Sequence, residues 1–79
     1  MKIHIQYFAM LAEKRGLSDE QLTVEATNLA TLYDTLAALH GFPLSRSAIR
    51  PAVNDAFCAW DHPLRDGDRV VFVPPVSGG

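Results

Sequence analysis

The residues best placed to do chemistry in this chain are the last two, Gly78 and Gly79, because they offer a carboxylate with no side chain in front of it. Glycine is about 7% of average composition, so a Gly-Gly end arises by chance about once in 200 chains and calls for a reason. Such an end lets a partner's narrow channel close round the backbone and lets a nucleophile reach the last carbonyl unhindered. The plain alternative is a mobile end, since glycine buries nothing and has the most conformational entropy to lose. Other chemically capable residues are few and badly grouped for catalysis. Cys58 sits in an apolar stretch and reads as a small buried hydrophobe, with no helix N-terminus expected to lower its pKa. His4, His40 and His62 lack metal-ligand spacing, and no metal site is expected. Ser45 and Ser47 have no predictable base, and Asp66, Gly67 and Asp68 read as a turn with too few oxygen ligands for calcium.

Those residues have to be held by regular elements, which the pattern places as follows. Ile3, Ile5 and Tyr7 alternate with Lys2, His4 and Gln6, giving a half-buried first strand. Phe8 to Arg15 is helix-like and Gly16 suits a left-handed cap. Leu22 and Val24 mark a second strand. Asn28 is a good N-cap for a main helix over about 29–40, with Leu29, Leu32, Leu36 and Leu39 as its apolar stripe, Tyr33 alongside, and Gly41 as its end. After a loop, Ile49 to Val53 reads as a strand that Pro51 assigns to an edge. Asn54 and Asp55 form a turn into a return strand over Ala56 to Trp60. Asp61 to Pro63 and Asp66 to Asp68 are further turns, and Arg69 to Val73 is the last strand. One long helix cannot cover both faces of five strands, so the fold class is α+β. The last strand is apolar on both faces, which suits a central position with one face on the helix and the other offered to a partner. Both alternate sets are apolar, so the pattern leaves open which one faces the helix.

The bulk numbers narrow the function classes. At 79 residues this is one domain, burying only about 60% of the surface of its unfolded chain, with little room for a deep enclosed site. The net charge of −2, with 7 Lys+Arg against 9 Asp+Glu, provides no basic stripe for nucleic acid. A single cysteine forms no internal disulfide. The opening residues do not read as a signal peptide and no apolar run is long enough for a membrane, so a cytoplasmic domain is expected.

Taken as a unit, the stretch from Trp60 to Gly79, with Asp66-Gly67-Asp68, Pro74-Pro75 and Gly78-Gly79 at these spacings, closely resembles the end of the molybdopterin synthase small subunit. The likeness continues through Ala52-Val53-Asn54 and the main helix to the opening strand. This resemblance implies a ubiquitin-like β-grasp over residues 1–75: a mixed five-stranded sheet with one main helix on one face and a short second helix. Residues 76–79 are then a flexible Gly-Gly tail. It implies a sulfur carrier of molybdenum cofactor synthesis in a heterotetramer, not an enzyme on its own, with catalytic residues on the large subunit. An adenylyltransferase/sulfurtransferase of the ubiquitin-activating type adenylates Gly79 with ATP, and a persulfide-derived sulfur converts it to a thiocarboxylate. The tail of Pro74, Pro75, Val76, Ser77 and Gly78 then inserts into the large subunit, and sulfur passes to a cyclic pyranopterin monophosphate to build the dithiolene. No cofactor is bound permanently. The exposed face of the last strand, with Phe8 or Phe72 contributing, is the expected partner interface. Arg69 departs from the family's pattern, where an acidic residue is common.

Three other readings compete. A related β-grasp protein ending in Gly-Gly serves thiamine thiazole synthesis, although such chains tend to be shorter and lack the Pro-Pro-Val-x-Gly-Gly run. A protein modifier would join Gly79 to lysines of its targets. An interaction domain would carry an inert tail.

Overall fold

The computed structural model describes residues 1–25 and 28–75. Along the chain these form β1 (Lys2–Tyr7), α1 (Ala9–Arg15), β2 (Asp19–Thr23), α2 (Leu29–His40), a 3-10 turn (Arg46–Ala48), β3 (Arg50–Val53), β4 (Ala56–Phe57) and β5 (Arg69–Val73). The strands make one sheet in the order β2-β1-β5-β3-β4. β1 and β5 run parallel at its centre and every other pair is antiparallel, so the sheet is mixed.

Local chemistry accounts for the boundaries. The Oδ1 of Asn28 accepts from the Thr31 N–H at 2.9 Å, which satisfies one of the orphan donors at the start of α2. Gly41 ends that helix at φ +68°, a left-handed conformation that glycine reaches at no steric cost, with its N–H on the Ala37 carbonyl at 2.9 Å. Asn54 and Asp55 both take positive φ, at +50° and +73°, which is the tight hairpin geometry that these two residue types tolerate. Asn54 also uses its side chain, donating to Asp68 at 3.0 Å and accepting from the Arg69 N–H at 3.0 Å. The buried Asp68 accepts in addition from the Arg65 N–H at 2.8 Å. Asp66 accepts from the Lys2 N–H at 2.7 Å, so this turn is built to close on the start of β1. Its carboxylates are engaged as acceptors from two backbone N–H groups and the Asn54 amide.

One hydrophobic core lies between the sheet and the helices. Ile3, Ile5 and Tyr7 of β1, Val70 and Phe72 of β5, Leu11 of α1, and Leu29, Leu32, Tyr33 and Leu36 of α2 are all buried in it. The ring of Tyr33 meets Phe72 edge-on at 5.1 Å, and Trp60 stacks on Phe72 at 6.0 Å.

Several sequence expectations need correction. Phe72 is fully buried and supplies no outward surface. Leu39 does not join the core stripe: at the margin of that stripe in the last turn of α2, it is 70% exposed. The return strand stops at Phe57, after which Trp60 folds back onto the core. β3 is not an edge strand, since it lies between β5 and β4. Pro51 fits there because its carbonyl accepts from the Cys58 N–H at 3.1 Å, which places its missing N–H on the same side, away from β5. The ladder with β5 therefore loses no donor. α1 packs on the same core as α2, through its buried Leu11, and leaves the second sheet face open to a partner as expected.

Candidate functional site

Register decides which side chains face out. The pairs Tyr7↔Phe72, Pro51↔Phe72 and Val53↔Val70 are buried, so the alternate residues lie on the opposite face. That face carries His4 and Gln6 of β1, Val71 and Val73 of β5, Arg50 and Ala52 of β3, and Phe57 of β4. Phe8, extended at φ −124° and ψ 152°, continues the alternation past Tyr7 and turns to the same side. Phe57 is 57% and Phe8 43% exposed, while Val71 and Val73 are half-buried. The Arg50 guanidinium lies 4.1 Å from the centroid of the Phe57 ring, close enough for a cation–π contact. Clustered exposed apolar groups of this kind mark an interaction surface.

The chain leaves the sheet at this patch. β5 pairs through Val73, opposite Arg50, and Pro74 and Pro75 follow at once. Neither proline has an N–H to continue the ladder and both have fixed φ, so the exit from the central strand is stiff. Pro74 is half-buried and Pro75 exposed. Val76, Ser77, Gly78 and Gly79 lie outside the described residues.

Of the interface residues named from sequence, Phe8 lies at the patch and Phe72 lies beneath it. Phe57, Arg50 and Val73 were missed. Phe57 could have been found from the hairpin turn at Asn54 and Asp55, which pairs Ala52 with Phe57 and so fixes its face. The remaining candidates have structural partners. The Cys58 thiol is pushed up by burial, which disfavours the nucleophilic thiolate, and its Sγ rests 4.0 Å from the Pro51 carbonyl. Ser45 and Ser47 share a hydrogen bond of 2.8 Å. The His62 backbone closes a turn on Ala59 at 3.1 Å, and His4 lies 3.9 Å from Asp19. Arg69 reaches Asp55 at 3.8 Å on the surface. Among the described residues no helix is long and apolar enough to cross a membrane.

A mixed five-stranded sheet holding one main helix on one face, with its first and last strands paired in parallel at the centre, is a ubiquitin-like β-grasp. The chain belongs to the ThiS family, whose model matches residues 5–79. It is 32% identical to the molybdopterin synthase sulfur carrier subunit of Escherichia coli (strain K12), over 98% of this chain and 99% of that one. Among solved structures it is similar to SAMP1, a small archaeal modifier protein of Haloferax volcanii, at TM-score 0.80 and 25% identity with full coverage of both chains. It is also similar to a chain in the complex of subunits 1 and 2 of the molybdopterin-converting factor from Helicobacter pylori 26695, at TM-score 0.67 and 28% identity with full coverage of both.

Proposed function

We propose that this chain is the sulfur carrier subunit of a molybdopterin synthase. The observation that carries the reading is the 32% identity to the Escherichia coli carrier subunit, which extends over 98% of this chain. The geometry of the sheet supports it, because the stiff exit at Pro74 and Pro75 opens beside an exposed apolar patch. In this reading the Gly79 carboxylate attacks the α-phosphate of ATP on a ubiquitin-activating-type enzyme, and pyrophosphate leaves. The carboxylate, a poor electrophile, thereby becomes an acyl-adenylate with AMP as leaving group. The outer sulfur of an enzyme persulfide displaces AMP to give an acyl disulfide, and a second thiol then cleaves that S–S bond, forming its own disulfide with the enzyme and freeing the thiocarboxylate. That sulfur is then donated to a cyclic pyranopterin monophosphate on the large subunit.

The patch of Phe8, Phe57, Val71 and Val73 docks the large subunit, with Arg50 at its margin, and the tail enters that partner's pocket. Four extended residues, Val76 to Gly79, would span about 13 Å, enough to reach a buried site without disturbing the domain. No cofactor resides in the carrier, and ATP is consumed by the activating enzyme. Reconstitution tests this reading: the thiocarboxylate form, mixed with the host's large subunit and the cyclic monophosphate, should yield dithiolene product, and the carboxylate form should not. Product from both forms, or from neither with an active large subunit, contradicts it.

The likeness to SAMP1 favours one second reading, in which Gly79 is joined to lysines of target proteins. That reading requires conjugates of higher mass that survive denaturing gels.

A further inference from the structure

Among the described residues β2 is the outermost strand on the side of the sheet away from β4, and its ladder uses one edge. The N–H and C=O of Val24 both bond Met1, at 2.8 and 3.0 Å. By strand alternation Leu22 and Glu20 face β1 in the same way, and Asp19, Gln21 and Thr23 turn their backbone N–H and C=O outward. Such a row is a template for one more strand.

Beside that edge runs a groove of about 620 Å³ between β2 and α2. Leu22 and Val24 form one wall, and Leu32, Leu36 and Leu39 the other. Leu39, which the core does not use, stands 70% exposed at its rim. The strand's five residues cover about 17 Å and the helix's twelve about 18 Å, so the two walls match in length. An extended peptide hydrogen-bonded to β2 therefore drops alternate side chains into an apolar trough. The strand's charges set the peptide's ends. Glu20 is already held by Arg15, through two contacts of 2.7 Å, whereas the exposed Asp19, with only His4 near it at 3.9 Å, and the exposed Glu25 lie at the two ends of the edge.

We propose that the β2 edge and the β2–α2 groove bind an extended peptide as a sixth strand, apolar at alternate positions and flanked by lysine or arginine. A second copy of this chain is the poorer occupant. Two β2 strands paired antiparallel about Leu22 set Asp19 of one against Glu25 of the other, and like charges facing across a ladder are destabilising. The site is remote from the patch of Phe57 and Val73, and it does not depend on the sulfur-carrier reading.

The test is an NMR titration of the full chain, observing amides and methyls, with an acetylated peptide of alternating valine and threonine between lysine pairs. A second peptide replaces the lysines with glutamates. Saturable shifts are expected at the amides of Asp19, Gln21 and Thr23 and the methyls of Leu22 and Leu39, with a Kd on the order of 100 μM. The glutamate-flanked peptide should bind at least about tenfold more weakly. Leu39→Glu, at a side chain already in solvent, should leave the melting temperature unchanged and abolish binding. The proposal is overturned by no saturable shift up to about 5 mM peptide, by shifts centred on Phe57 and Val73, or by equal binding of the two peptides. Unchanged binding by Leu39→Glu overturns it too, as do β2 shifts that follow protein concentration alone, which would make a second copy the occupant.

Discussion

The guanidinium of Arg50 lies over the ring of Phe57, 4.1 Å from its centroid, and joins β3 to β4 on the sheet face that carries no helix. The two residues are diagonal neighbours, since the register sets Ala52 opposite Phe57. This contact presents a large aromatic face to solvent beside the strand from which the tail departs.

Phe57→Glu should weaken association with the large subunit by about 2 kcal/mol or more, roughly 30-fold in Kd, as expected when a buried aromatic anchor is lost. Its melting temperature should stay near the wild-type value, because the side chain is 57% exposed in the isolated domain. Calorimetric titration of the two subunits measures the first effect and thermal unfolding the second. Wild-type affinity in both Phe57→Glu and Phe8→Glu would rule out the patch as the docking surface.

Phe72→Ala should behave in the opposite way. Its ring is fully buried between Tyr33 and Trp60, and deleting a core phenylalanine costs about 3–5 kcal/mol through lost transfer energy and a cavity. In a domain this small that is a large share of about 4–12 kcal/mol of total stability. Denaturant unfolding should show a marked fall in midpoint, and a nearly wild-type midpoint would contradict the burial of this residue.

The adjacent positions 72 and 73 also show what the sequence revealed and what it hid. The main helix was legible because Asn28, Gly41 and the spaced leucines each carry a local signal, and the first strand because polar residues alternate with Ile3, Ile5 and Tyr7. β5 has no polar residue in its interior, so its facing depends on a partner strand far away in sequence. Parallel pairing with β1 sets Phe72 beside the buried Tyr7, and this turns Val71 and Val73 outward. Leu39 misled because helical spacing says nothing about where the sheet beneath a helix ends. Pro51 misled because its missing N–H faces away from β5, toward the chain just past the end of the short β4. Of the patch, Phe8 alone was legible, since the rest is assembled by register, and the chain end lies outside the described residues.

Acid should find a specific weak point at Glu20. Hydrogen bonds from Arg15 hold its carboxyl below the usual carboxylate range, with the Tyr7 hydroxyl adding another at 2.7 Å. Glu20 thus contributes stability that is fully present above its unfolded pKa, about 4.3, and is lost as pH falls through the lower folded value. Burial, with Glu20 next, raises the Tyr7 pKa, so its contribution is present below about pH 10 and is lost as pH rises toward the folded value. Unfolding midpoints measured from pH 2 to 7 should fall more steeply for wild type than for Glu20→Gln. Parallel curves would remove Glu20 from this role.

Gly79→Phe should leave thermal stability unchanged, because among the described residues the core draws on nothing after Phe72. Sulfur loading should be abolished, since a bulky side chain would block access to the last carbonyl. A fall of several degrees in melting temperature would give the tail a structural role that this account denies.

The most direct measurement is the intact mass of the chain after incubation with ATP, a sulfur source and the host's activating enzyme. A gain equal to one oxygen exchanged for sulfur is expected, absent when Gly79 is deleted. No gain with a demonstrably active enzyme, or the same gain in the deletion, would contradict the claim that Gly79 carries sulfur.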